Sequence, residues 1–212
     1  MKERPILFKG EMVRAVLDGT KTQTRRVVKP QPLHKDVILR YPNSYGNAEA
    51  GLPMDVDYPD SDPGEMAGQD EWKCPYGVPG DELWVRETFA LCRCKSTCEG
   101  IYFRADESQN QGANIDKWRP SIFMPRWASR IQLVVKSVRV ERVQEIDEAD
   151  AKAEGTVSAI EPHEDGGGTL SYRYGFRLLW DSINGKPRKD GTDISWAANP
   201  WVWVVEFERK TQ

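Results

Sequence analysis

Apolar positions near the start of the chain change period twice. Pro5-Ile6-Leu7-Phe8 is a short continuous run that predicts an entry strand, and Met12, Val13, Val16 and Leu17 then recur at the spacing of one helix face. Asp18-Gly19 stops that helix, because glycine takes the left-handed conformation common just past a helix end. Thr20 to Val28 alternates and is rich in Thr and Val, which predicts a strand leaving the turn.

Periodicity then lapses. From Lys29 to Gly80 the chain is dominated by Pro, Gly, Asp, Asn and Tyr, a long Pro/Gly-rich insertion over roughly residues 30–79 that reads as a functional lid or a poorly ordered loop. After the turn signal Pro79-Gly80-Asp81, the run Asp81 to Ala90 predicts a strand, and Ile101 to Arg104 a second, short one. Ile131 to Val143 alternates Val and Leu with Lys, Ser and Arg, as a half-buried antiparallel strand pair would.

Ile146 to Gly155 predicts a short helix with Asp147 as N-cap and Gly155 as its stop. A flexible connection over residues 156–170 follows. Phe176, Leu179, Trp180 and Ile183 then mark a helix over Tyr172 to Ile183, closed by Asn184-Gly185, and Trp201 to Phe207 is a continuous apolar strand expected at the centre of a sheet. The pattern is that of one α+β domain over residues 1–212.

Composition agrees with a folded chain: 39% hydrophobic and 30% charged residues over 212 positions. The net charge of -3 conceals 30 Lys and Arg, so any nucleic-acid contact must come from a local basic patch. The apolar start is too short for a signal peptide, and no stretch reaches the roughly 18 to 20 apolar residues of a membrane span, so a cytoplasmic protein without membrane contact is expected. Four cysteines, Cys74, Cys92, Cys94 and Cys98, then sit in a reducing compartment, which argues against a disulfide framework. They could offer thiolates to a structural zinc, but C-x-C-x3-C is not the usual paired C-x2-C knuckle. Free thiols and no cofactor are the plainer expectation. His34 and His163 suggest no triad.

Three segments could carry chemistry. Lys21-Thr22-Gln23-Thr24-Arg25-Arg26 places Lys21, Gln23 and Arg25 on one strand face and the threonines on the other, although a charged, exposed edge would read the same way. Trp84-Val85-Arg86-Glu87 sets Arg86 and Glu87 on opposite faces. Arg126-Trp127-Ala128-Ser129-Arg130 combines cations with an indole that could stack on a base. Glu154, alone, is an ordinary carboxylate at a helix end.

In combination, Leu17-Asp18-Gly19-Thr20-Lys21-Thr22-Gln23-Thr24-Arg25-Arg26, then Pro79-Gly80-Asp81-Glu82-Leu83-Trp84-Val85-Arg86-Glu87, then the Ala-rich helix ending at Glu154, resemble the ASCH family of PUA-like proteins. The chain is similar to phage- and prophage-borne ASCH proteins at Arg4 to Phe8, Lys117 to Ser121, Pro125 to Arg130 and Asn199 to Trp203, leaving out residues 33–70 and 156–170.

The resemblance implies a small β-barrel with flanking helices and a cleft for a modified nucleoside or single-stranded RNA. Some small bacterial members are amidohydrolases of N4-acetylcytidine that use a Lys, a Thr three residues later and a distant Glu. Lys21 and Thr24 match that spacing, and Glu154 matches by its place at the helix end, with Glu148 as its competitor. In these roles Thr24 is the nucleophile, Lys21 its base, and Glu154 a proton donor or an orienting group for Lys21. Arg25, Arg26, Trp84, Arg86, Glu87, Arg126, Trp127 and Ser129 are the candidates for substrate contact. A non-catalytic RNA or modified-base binding module, or an ASCH-type ribonuclease, is the alternative. Lys21 and Thr24 are expected at a cleft rather than in the core, so that replacing either leaves the fold intact.

Overall fold

The computed structural model describes residues 1–32, 73–92, 100–109, 115 and 117–210. The chain divides into two compact units, one of Met1–Gln31 with Cys74–Gln212 and one of Pro32–Lys73. The lid or loop expected at residues 33–70 lies outside the described residues, as does His34.

In chain order the first unit contains β1 (Glu3–Leu7), α1 (Gly10–Leu17), β2 (Gln23–Val27), β3 (Glu82–Arg86), β4 (Phe89–Leu91), β5 (Ile101–Phe103), β6 (Gln132–Arg142), α2 (Glu148–Ala153), β7 (Ala159–Pro162), β8 (Gly168–Ser171), α3 (Tyr172–Asn184) and β9 (Trp201–Arg209). Five strands form a sheet in the order β1-β3-β6-β9-β2, while β4-β5 and β7-β8 are separate two-stranded sheets. β1 runs parallel to β3, and every other pairing in the large sheet is antiparallel.

β9 lies between β6 and β2 with Trp201 through Val205 all buried, the signature of a strand covered on both faces. Its register places Val202 beside Val27 and Val204 beside Arg25. On that face Val202 and Val204 pack with Ala151 of α2, Phe176 and Trp180 of α3, and Trp196. A smaller apolar cluster gathers Phe89, Met124 and Ala128 against Leu91, Ile101 and Phe103.

Local signals set the helices. The Asp147 carboxylate accepts the Asp150 N–H at 2.7 Å and starts α2, and Gly155 ends it at a φ of 72°. Ser171 Oγ caps α3 by accepting from Tyr174 N at 3.0 Å. Glu148 reinforces that cap, accepting from Ser171 Oγ, Tyr172 N and Arg173 N, so the competitor to Glu154 is occupied at the start of α3.

Several expectations need correction. Among the described residues the sheet is open, with β1 and β2 as its edges, rather than a closed barrel. The run from Asp81 to Ala90 is two strands in different sheets, broken at Glu87-Thr88, because the carboxylate of Glu87 turns inward to Arg130. The expected strand pair at 131–143 is one strand, β6, with a register shift between Val135 and Ser137. The flexible connection at 156–170 contains the β7-β8 hairpin, in which Ile160 pairs with Leu170. Cys92 is disulfide-bonded, so it offers no thiolate, against the expectation of free thiols. Cys74 is free and buried, which pushes its thiol up to about 11, and Cys94 and Cys98 lie outside the described residues. No group of three or more metal-ligating side chains occurs among the described residues. Nor is any helix there long and apolar enough to cross a membrane.

Candidate functional site

The turn after α1 and the end of α2 meet at one point. Lys21 N donates to Ala15 O at 2.8 Å and Thr22 N to Ala153 O at 2.8 Å, which brings Lys21 beside Glu154 as an isolated bridge pair. The side chains of Lys21 and Arg25 are both 0% exposed.

Lys21 Nζ donates to Glu154 O at 2.7 Å, Gln23 O at 2.8 Å and Glu154 Oε2 at 2.9 Å. An ammonium has three donors, and all are used. Burial pushes the pKa of Lys21 down; the Glu154 carboxylate opposes this, and Arg26 and Arg25 add to it.

Arg25 is the second hub. Its guanidinium reaches Glu154 Oε1 at 3.3 Å, Glu141 Oε2 at 3.0 Å and, through a short contact, Asp150 Oδ2. Arg139 completes the cluster, pairing with Glu141, Glu206 and, at 3.2 Å, Asp150. Burial raises the pKa of Asp150, but hydrogen bonds and charge from Arg25, with Arg139 adding, hold it below its ordinary value. Gln23 Nε2 donates to Asp150 O at 2.9 Å, so Lys21, Gln23 and Arg25 all turn toward α2 and its end.

Thr24 is 3% exposed and pairs in register with Val205, on the sheet face opposite to Arg25. Its hydroxyl makes no hydrogen bond among the described residues, and none of the three Lys21 protons reaches it. Thr24 and Glu154 line a cavity of about 90 Å³ walled by Met12, Phe176, Leu179 and Trp180. The expectation that Lys21 and Thr24 sit in an open cleft is therefore overturned: both are buried, so replacing either acts on the core as well as on the site.

Comparison with known proteins finds no family model, no curated protein and no solved structure that matches this chain.

The remaining candidates fall elsewhere in the first unit. Arg26 donates to Leu7 O at 2.7 Å across the two sheet edges and lies over the Phe8 ring. Trp84 and Arg86 share one face of β3, where the Arg86 and Arg126 guanidiniums lie 5.4 and 6.0 Å from the Trp84 ring. Arg126 is held by both carboxylate oxygens of Glu3, and Trp127 is 70% exposed. Ser129 Oγ donates to Val85 O and Ile131 O, a backbone tie. Glu87 is buried, which pushes its pKa up against the pull of Arg130; the Arg130 guanidinium holds it at 2.9 and 3.0 Å and also reaches Asp106.

Sequence reading missed Asp150, Glu141 and Arg139 around Arg25, and it named Arg130 beside Arg126 and Trp127 without its pairing to Glu87 and Asp106. One signal was present: Asp150 and Glu154 are four residues apart and share a helix face.

Proposed function

We propose that this chain is a nucleoside- or RNA-directed hydrolase of the ASCH type, an amidohydrolase that removes an acyl group from N4-acylated cytidine, with Lys21, Thr24 and Glu154 in its site. The observation that carries this reading is the fully buried contact of Lys21 with Glu154 at 2.9 Å, across 133 residues of sequence. Removing two charges from water costs several kcal/mol per ion before their attraction offsets it, and apolar residues would fill the space as stably. Buried charged groups whose pKa is displaced, as burial displaces that of Lys21, cluster at functional sites.

The chemistry requires Lys21 as a neutral amine. Losing one proton leaves two donors and a lone pair facing three acceptors, so one of its contacts opens and the lone pair can take the Thr24 hydroxyl proton. Thr24 Oγ then bonds to the acyl carbon, the carbon–nitrogen bond breaks, and the base nitrogen leaves with the proton that Lys21 took from Thr24, delivered directly or relayed through the Glu154 carboxylate. Water hydrolyses the Thr24 ester and releases the carboxylic acid. Arg25 holds Glu154 in place for these steps.

A non-catalytic binding module is the second reading. It is favoured by the full use of the Lys21 donors and by exposed Phe123 and Trp127 near the Arg86–Trp84–Arg126 stack. Chromatographic assay of N4-acetylcytidine and related N4-acylcytosines separates the two. The wild type is expected to release the acid, with release lost in Lys21→Ala and Thr24→Ala proteins shown to be folded. A wild type inert across the panel overturns the hydrolase and leaves binding, measured with single-stranded RNA.

A further inference from the structure

The β7-β8 hairpin reverses the pattern expected of a solvated ribbon. Ile160, Pro162, Gly168 and Leu170 share one face, and that face is open to water, with Ile160 69% and Leu170 67% exposed. On the other face Ala159 and Glu161 are half-buried and Ser171 is buried. Apolar side chains therefore point outward while polar ones turn toward the protein, which marks a contact surface.

The backbone agrees. His163 N donates to Gly167 O at 2.9 Å, and the antiparallel alternation fixes the ladder from there. Thr169 and Ser171 exchange hydrogen bonds with Glu161 and Ala159, so the N–H and C=O groups of Gly168 and Leu170 point away from β7. Pro162, opposite Gly168, has no N–H and requires the same assignment. The outward groups of Gly168 and Leu170 have no hydrogen-bond partner among the described residues.

A free edge is ordinarily blunted by charge, proline or cover. In the large sheet Glu3, Arg4 and Pro5 occupy the β1 edge, and Arg26 of β2 reaches across to Leu7 O. Pro162 interrupts the outer edge of β7. β8 reads Gly-Thr-Leu-Ser, with neither charge nor proline.

Only another strand completes such an edge, and β8 is complementary to itself. A two-fold axis at Thr169 sets Gly168 opposite Leu170 of the second copy and Leu170 opposite its Gly168, so every outward N–H and C=O finds a partner. Thr169 then meets its own counterpart, a favourable cross-strand pair, and the uncharged strand meets itself without repulsion. Ile160 Cγ2 lies within 2.5 Å of where a Gly168 Cβ would stand, so Ile160 covers Gly168 as far as the edge, where Leu170 of the second copy arrives. The exposed Ile160 and Leu170 side chains of both copies make one continuous apolar row. The same register carries the acidic tip, Glu164 and Asp165, toward the start of α3 in the second copy. There the exposed Arg173 and Arg177 take part in no ion pair among the described residues, so the charges are complementary.

We propose that β8 is a self-pairing edge, through which two copies of this chain join antiparallel about a two-fold axis into one continuous sheet. A strand of 4 residues is far short of the roughly 20–30 residues a side of a standard interface, so the dimer is reversible and forms at high micromolar concentration. The pairing is independent of the reaction proposed above.

Sedimentation velocity of the full chain from roughly 10 μM to 1 mM tests it, with the wild type, Leu170→Lys, Leu170→Pro and Phe123→Lys. The wild type is expected to pass from monomer to dimer and no further. Leu170→Lys places a charge on the edge without touching the core, and Leu170→Pro removes an N–H that the hairpin does not use; each is expected to weaken the dimer at least about tenfold. Phe123→Lys, which alters an exposed aromatic elsewhere, is expected to dimerise as the wild type does. Hydrogen exchange of the Gly168 and Leu170 amides should slow as wild-type concentration rises. A wild type that stays monomeric to about 1 mM, association that continues beyond the dimer, or exchange that ignores concentration overturns the proposal. So does a dimer that survives Leu170→Lys or that Phe123→Lys breaks.

Discussion

Lys21 shows how a single residue ties stability to chemistry. With its side chain out of water and its three donors facing one carboxylate and two carbonyls, it neutralises Glu154 from one side while Arg25 does so from the other. Lys21→Met keeps the stem but leaves Glu154 half-paired, and is expected to lower stability by about 3–5 kcal/mol in urea unfolding. A loss below about 1 kcal/mol would mean that water reaches the pair. The pH dependence has a definite sign. The folded pKa of Lys21 lies below its ordinary 10.5, so between the two values the unfolded chain holds more protons and this group makes stability rise with pH. Cys74 works the other way: its thiol is raised from 9.0 to about 11, so its contribution is present below pH 9 and lost as pH rises through 11. As pH rises toward 10.5, urea midpoints should therefore climb relative to those of Lys21→Met, which lacks only the first effect. Parallel curves would show that Lys21 titrates as a solvated lysine.

The elements carrying these residues were legible to different degrees. The helical spacing of Phe176, Leu179 and Trp180, the Asp147 cap and the apolar run of β9 are local patterns, and each corresponds to an element of the fold. The resemblance paired Lys21 with Glu154, which no periodicity could do. Arg25 meeting Glu141 and Asp150 was hidden, because those acids belong to β6 and α2 and meet it only through tertiary packing. The break at Glu87 was hidden for the same reason, since its partner Arg130 is 43 residues away. The β7-β8 hairpin was missed because its large apolar residues, Ile160 and Leu170, are both largely exposed, so no alternation of buried apolar positions marks its strands. At this scale the sharpest test is Gly155, where α2 ends against α1 and Lys21. Gly155→Ala combines a positive φ with two Cβ contacts inside 3.0 Å, and is expected to cost about 1–3 kcal/mol in thermal or urea unfolding and to shift the Lys21–Glu154 contact. A neutral outcome would mean that the end of α2 yields easily.

Across the first unit, the sheet depends on its last strand. Among the described residues β9 is the only sheet neighbour of β2 and the longest partner of β6, so a protein ending at Pro200 would lose the pairing on both sides along with Val202 and Val204. Circular dichroism and urea unfolding of such a truncation are expected to show no cooperative transition, and a cooperative one would mean that β2 can be held by other contacts. The same arrangement sets an order of events during synthesis. The ribosome adds Lys21 and Arg25 early, the acids at 141, 150 and 154 much later, and the strand that anchors β2 after all of them. For most of translation those two cations travel on the nascent chain as ordinary solvated side chains. The Glu206 corner of the charged cluster and the β9 pairing that holds Arg25 in register come last, so a stalled polypeptide that lacks β9 carries most of the charged residues without the strand that holds β2.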